Sequence, residues 1–220
     1  MRSASLTASP PLATLAPLSL PLRVPAGPAG SFCEGSADNF PTGPCRAGYY
    51  CTGGASAPTQ FTAPAGSYAE AGATLPTQCA PGTYQPSPGA GSCVPCPPRQ
   101  LCASNGTVTP DICPQGGYCA GGASSATPCP AGTYGAISGQ QNVTSCTPCD
   151  GGSSCSASGL TAPNGVCYAG YFCLLGSPSP NPSTLVVTAA ANYGPCQPGY
   201  YCLEQRAPAP CVPGTFNPST

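Results

Sequence analysis

Apolar residues in this 220-residue chain stand mostly singly or in short groups, separated by Gly and Pro, and they never sustain a 3.6-residue period, so helices are not expected in most of it. The pattern that recurs is a turn followed by an aromatic. Pro81-Gly82-Thr83-Tyr84 and Gln115-Gly116-Gly117-Tyr118 place turn residues just before a ring that can begin a strand of two or three residues. Short hairpins and irregular loops are what such windows allow. A longer apolar-rich stretch, Leu12 to Leu22, is interrupted by Pro17 and Pro21. Following Arg2 and preceding the small residues Ala26 and Ala29, it reads either as a secretory leader or as a Pro/Ala-rich linker over residues 1–32. No window reaches the roughly 18 apolar residues that span a bilayer, so no membrane span is expected in this sequence.

Cysteine imposes a period on this pattern. Cys79, Cys93, Cys96, Cys102, Cys113 and Cys119 recur in the same order as Cys129, Cys146, Cys149, Cys155, Cys167 and Cys173, each displaced by nearly the same step. A near-constant step of roughly 50 residues indicates one structural unit repeated along an array. Two full repeats, 79–119 and 129–173, are flanked by parts. Cys33, Cys45 and Cys51 form a partial repeat at 33–51, and CQPGYYC with CVPGTF forms another at 196–220, which reads as truncated. Residues 52–78 are a cysteine-free joint in which APAGSY looks like a degenerate CPAGTY opening. Residues 174–195 hold SPSPNPS and are expected to be an extended, polyproline-like spacer open to O-glycosylation.

Composition explains why sulfur carries so much. With 18 Cys, 32 Pro and 29 Gly, and isoleucine only at Ile112 and Ile137, the chain lacks the material of an ordinary core. A unit of about 50 residues rarely holds its fold by burial alone. The expected fold is therefore small and disulfide-rich: an elongated tandem array of short β-hairpin and loop modules with little or no helix. Disulfides persist outside the cell and in the secretory pathway, which sets the expected location as extracellular or cell-surface. Five Arg, no Lys and six scattered carboxylates give a net charge of −1 and offer no surface for nucleic acid.

Catalysis is not expected. No His and no Lys removes the usual general base and amine nucleophile, and the carboxylates at 34, 38, 70, 111, 150 and 204 stand singly. The C-x2-C pairs Cys93/Cys96 and Cys146/Cys149 invite zinc or redox chemistry. Zinc prefers two close pairs of ligands, and a thioredoxin-like site needs a βαβ context, so both give way to structural disulfides, with no metal and no cofactor.

The order C-x-x-G-T-Y, C-x2-C, C-x-P-G-Y-Y-C resembles the ephrin-receptor-like cysteine-rich repeat, within the growth-factor-receptor cysteine-rich group and similar to tumour-necrosis-factor-receptor modules. The resemblance covers 33–51 in part, 79–173 in full and 196–216 in part. Six cysteines alone allow fifteen pairings. The resemblance implies Cys79–Cys93, Cys96–Cys113 and Cys102–Cys119, then Cys129–Cys146, Cys149–Cys167 and Cys155–Cys173, with Cys33–Cys51 in the first partial repeat. Cys45, Cys196, Cys202 and Cys211 lack their family partners. The Ala/Gly/Pro bias resembles that of algal or protist surface proteins.

Ten of the 16 aromatics sit in the two signature motifs, where each ring can cover a disulfide as a miniature core. The doublets Tyr49–Tyr50 and Tyr200–Tyr201 leave room for a ring to meet a partner, since adjacent strand residues face opposite sides. Asn105-Gly-Thr and Asn142-Val-Thr are N-glycosylation sequons, whereas Asn181-Pro-Ser and Asn217-Pro-Ser are blocked by proline. The functional expectation is a non-catalytic extracellular region of a larger protein, acting as a structural spacer or adhesion surface. The alternative is a receptor-type module that recognises a protein or glycan through exposed tyrosines.

Overall fold

The computed structural model describes residues 27–35, 40–188, 192–203 and 206–214. The leader reading of the first residues falls almost wholly outside them, as do Asp38, Glu204 and Phe216.

The local event that generates the fold is a four-residue turn. At Ala80-Pro81-Gly82-Thr83 the Thr83 N–H donates to the Ala80 carbonyl at 3.0 Å, and Gly82 has φ +84°. Pro at the second position and a positive φ at the third mark a type II turn, and glycine adopts that φ without steric cost. The same left-handed position recurs at Gly30, Gly48, Gly66, Gly82, Arg99, Gly116, Gly132, Gly152 and Gly170, at nearly even intervals along the chain. Arg99, at φ +72°, is the one described non-glycine residue with positive φ.

Each turn up to Gly152 starts a two-residue strand, which pairs antiparallel with the two residues preceding the next turn unit; the Gly170 turn starts a longer one. Thr83–Tyr84 pairs with Val94–Pro95, Gln100–Leu101 with Asp111–Ile112, and Gly117–Tyr118 with Thr127–Pro128. The described residues thus form nine two-stranded sheets and one three-stranded sheet, with no α-helix and a single 3-10 turn, Val143–Ser145. The molecule is a disulfide-rich series of small hairpin modules.

Neighbouring hairpins are joined by backbone hydrogen bonds in a fixed pattern. Between the Gly82 and Arg99 hairpins, Gly82 N–H donates to the Cys102 carbonyl at 2.8 Å, Cys96 N–H to Gly82 at 2.8 Å, Gln85 N–H to Thr107 at 3.0 Å, and Gly106 N–H to Cys79 at 2.8 Å. Equivalent bonds recur at the other junctions, so strands of only two residues still satisfy their polar groups. Contact extends to the next hairpin but one. A Cβ on Gly48 would collide with the Gly89 carbonyl oxygen, and one on Gly132 would lie 2.6 Å from that of Gly176.

The core is sulfur. Among the described residues the buried apolar side chains are fourteen cysteines, Ala55, Ala63, Ala69, Phe172 and Pro182. The disulfides there are Cys45–Cys51, Cys79–Cys93, Cys96–Cys102, Cys113–Cys119, Cys129–Cys146, Cys149–Cys155, Cys167–Cys173 and Cys196–Cys202. Two coincide with the pairs the resemblance implies, Cys79–Cys93 and Cys129–Cys146. The structure differs from it at Cys96–Cys113, Cys102–Cys119, Cys149–Cys167 and Cys155–Cys173, where each cysteine bonds within its own hairpin.

The reason is the turn. In C-x2-(G/R)-x2-C the left-handed residue reverses the chain midway between the two cysteines and brings their Cα atoms to 6.0 Å for Cys96–Cys102 and 5.8 Å for Cys113–Cys119, within disulfide range. Where the second cysteine is replaced, by Gln85 or Gly135, the first reaches further along the chain, to Cys93 or Cys146. The longer of these loops contains the 3-10 turn. Cys33–Cys51 differs likewise. Cys51 bonds Cys45, and Cys33 is a free thiol facing Gly27, which holds the place of its turn partner: a Cβ on Gly27 would lie 2.8 Å from the Cys33 Sγ. Cys45, Cys196 and Cys202, without family partners, are thus bonded, and Cys211 is free.

The segment expected to be an extended spacer is also different. Tyr171–Leu175, Asn192–Pro195 and Val186–Val187 form a three-stranded sheet, and the Tyr168 N–H donates to the Pro180 carbonyl at 2.9 Å. The prolines of SPSPNPS make a loop between paired strands, with Ser177 and Pro182 buried, and the backbone groups on either side of it are satisfied by sheet pairing.

Candidate functional site: an aromatic and carboxylate face

Each tyrosine doublet lies on the first strand of a hairpin, directly after the turn. Tyr49–Tyr50 pairs with Phe61–Thr62, and the Tyr50 ring stacks on Phe61 with centroids 5.4 Å apart and an interplanar angle of 28°. Both tyrosines are half-buried, and Tyr50 is engaged within its own hairpin. Tyr200–Tyr201 pairs with Ala209–Pro210, and each ring is 44 % exposed. The turns from Gly66 to Gly170 all intervene between the two doublets, which belong to different hairpins and do not form one surface.

Tyr84, Tyr118 and Tyr134 are half-buried, Phe172 is buried, and Phe40 and Tyr168 are exposed. Phe32 packs on the buried cluster of Cys45, Cys51 and Ala55, which places a ring of one hairpin over the disulfide of the next. Phe32 and Phe61 stand outside the signature motifs, so the motifs gave no sign of their packing.

Asn105 and Asn142 are both exposed. Asn105 lies in a turn with Gly106, where Thr107 Oγ1 donates to the Ser104 carbonyl at 2.8 Å. Asn142 caps the 3-10 turn, and its Oδ1 accepts from Thr144 Oγ1 at 2.7 Å and Ser145 Oγ at 3.2 Å, leaving the side-chain nitrogen toward solvent.

Concave surface gathers at the hairpin that lacks sulfur. Tyr68, Glu70 and Thr77 form the wall between two depressions of about 370 Å³ and about 380 Å³. Tyr68 is directly opposite Thr77 across the strand pair, and Glu70 lies two residues beyond Tyr68. Ala71, Gly72, Ala73, Thr74 and Leu75 line one side; Gln78, Ala80, Thr83, Ser92 and Cys93 line the other. The sequence offered one signal for this place, the APAGSY string, whose missing cysteine leaves Ala63 and Ala69 at the two bridge positions. A smaller depression of about 200 Å³ sits on the Pro-rich loop beside Tyr193.

Tyr134 faces a carboxylate. Its hydroxyl donates to Asp150 Oδ2 at 3.0 Å, and that hydrogen bond, with slight burial and the nearby negative charge, raises its pKa above the ordinary value of about 10. Among the described residues no helix is long and apolar enough to cross a membrane.

No curated protein matches the chain. Residues 66–113, which run from the turn of the cysteine-free hairpin through the two that follow it, match the family described as tyrosine-protein kinase ephrin type A/B receptor-like, and the chain therefore carries an ephrin receptor-like cysteine-rich repeat.

Proposed function

We propose that this chain is a non-catalytic extracellular or cell-surface region that acts as a stiff spacer within a larger protein and presents its flanks to partners. The observation that carries the reading is the recurrent set of four backbone hydrogen bonds at the hairpin junctions. It ties successive hairpins by the same main-chain groups whatever the side chains, which is what a length-setting element requires. The disulfide density and the ephrin receptor-like match support the extracellular setting. Protein secreted from a eukaryotic host should give small-angle scattering of an extended particle whose maximum dimension grows linearly as hairpins are added. A compact particle that keeps its dimension when hairpins are added would overturn the reading.

A second reading, recognition through exposed tyrosines, is favoured by the 44 % exposure of Tyr200 and Tyr201. Replacing both by Ala should abolish capture of a protein or glycan partner while the Cys196–Cys202 bridge still forms; unchanged capture would remove these rings from the account. N-glycans at Asn105 and Asn142 belong to the same proposal. Enzymatic deglycosylation in heavy-oxygen water should convert both to labelled Asp, and unlabelled Asn at both positions would refute it.

A further inference from the structure

We propose that the two depressions flanking Tyr68 and Glu70 receive an arginine side chain from a partner protein. This goes beyond the spacer reading and is independent of Tyr200 and Tyr201. Glu70 is an exposed carboxylate with no ion pair among the described residues, and no cationic side chain lines either depression. The hairpin places it beside an aromatic ring: Tyr68 ends the strand Ser67–Tyr68 opposite Thr77, Glu70 opens the turn that follows, and all three line both depressions.

The choice of ligand follows from what the wall can offer. In the first depression the side-chain polar groups are the Glu70 carboxylate and the hydroxyls of Tyr68, Thr74 and Thr77, with no amide, guanidinium, ammonium or imidazole. Such a lining suits a ligand rich in donors and bearing positive charge and is poor for an anion; the second depression adds the single amide of Gln78 and no cationic group. A single carboxylate is too few ligands for a metal ion. Between the two cationic side chains, a guanidinium is favoured. It is flat, can stack on the Tyr68 ring and can donate two parallel hydrogen bonds to Glu70, whereas an ammonium is a compact point charge. Leu75, 66 % exposed at the rim of the depression, supplies an apolar neighbour for the arginine's methylene stem or the partner residue beside it.

The test uses isotope-labelled intact protein titrated with N-acetylarginine amide, with its neutral isostere N-acetylcitrulline amide, with N-acetyllysine amide and with methyl glucoside. Saturable amide shifts centred on Tyr68, Glu70 and Thr77 are expected with the arginine probe, weaker shifts with the lysine probe, and none with the other two. Glu70→Gln should weaken the arginine probe by about tenfold or more while the remaining amides keep their positions. Tyr68→Leu should weaken it as well, and added salt should compete. Equal responses to arginine and citrulline, shifts with the glucoside alone, or an arginine response untouched by Glu70→Gln would each overturn the proposal.

Discussion

The Gly66 and Gly116 hairpins differ in one respect. In the second, Cys113 and Cys119 bracket the turn and are bonded; in the first, Ala63 and Ala69 occupy the same two positions and are buried just as completely. Yet the junction bonds are the same. Gly66 N–H donates to Gln85, Cys79 N–H to Gly66, Ala69 N–H to Ala90 and Gly89 N–H to Ala63, all within 2.8–3.0 Å; Gly116 N–H donates to Gly135, Cys129 N–H to Gly116, Cys119 N–H to Gln140 and Gly139 N–H to Cys113, within 2.8–2.9 Å. The backbone therefore sets the form of a hairpin. The bridge adds to its stability, chiefly by restricting the unfolded chain.

This comparison is broken most sharply at the turn residue. A Cβ on Gly66 collides with the Gly106 carbonyl oxygen and one on Gly116 with that of Gly159, and both glycines have positive φ. Gly66→Ala and Gly116→Ala should each cost roughly 3 kcal/mol by combining overpacking with backbone strain. Hydrogen exchange at Gly106 and Gly159 reads the loss locally. If Gly116→Ala is much the milder, sulfur rather than backbone governs the bridged hairpin.

Exchanging the sulfur is the next test. Cys113→Ala with Cys119→Ala should lose about 2 kcal/mol and leave the junction bonds intact. Ala63→Cys with Ala69→Cys should gain up to about the same, read as a shift in the denaturation midpoint with and without reductant. Gly27→Cys should likewise bond Cys33, shown by loss of that thiol's reactivity.

A smaller effect is expected between these hairpins, at Arg99, where a side chain occupies the conformation glycine holds elsewhere. Arg99→Gly should raise stability by roughly 0.5–1 kcal/mol, less than the full strain because glycine also loosens the unfolded chain. A fall in stability would mean that the Arg99 side chain makes a compensating contact.

The smallest effect is electrostatic. Because the folded Tyr134 holds its proton above the usual tyrosine pKa, the unfolded chain loses a proton first as pH rises. The stabilisation is therefore complete below about pH 10 and is lost as pH climbs through the raised value. Ultraviolet titration of Tyr134→Phe should lose one ionisation above the ordinary tyrosine range; an unchanged curve would contradict the assignment.

Much of this was legible in the sequence. Turn-then-aromatic strings such as Pro81-Gly82-Thr83-Tyr84 marked the strands, and the cysteine count marked the core. The cysteine period misled as to the unit. Sulfur repeats only at every third hairpin, because one hairpin with a long bridge is followed by two with short bridges, while the backbone repeats at every hairpin. Arg99 concealed one turn by not being glycine, and the loop containing Val143–Ser145 lengthened the step from Gly132 to Gly152. The Tyr68–Glu70 face was hidden for a different reason. It arises from strand pairing across Tyr68 and Thr77, and no motif joins those residues along the chain.

The close approach of the turn glycines Gly30, Gly48, Gly66, Gly82, Gly116 and Gly132 to a carbonyl two hairpins away has a consequence for subdivision. A piece cut to two hairpins could keep every bridge and still own none of these second-neighbour contacts, so three hairpins are the shortest length that contains one complete set. The matched stretch from 66 to 113 runs through three turns, at Gly66, Gly82 and Arg99. Evolution or an engineer lengthening this molecule can therefore add one hairpin at a time, but anyone excising a working segment must take at least three.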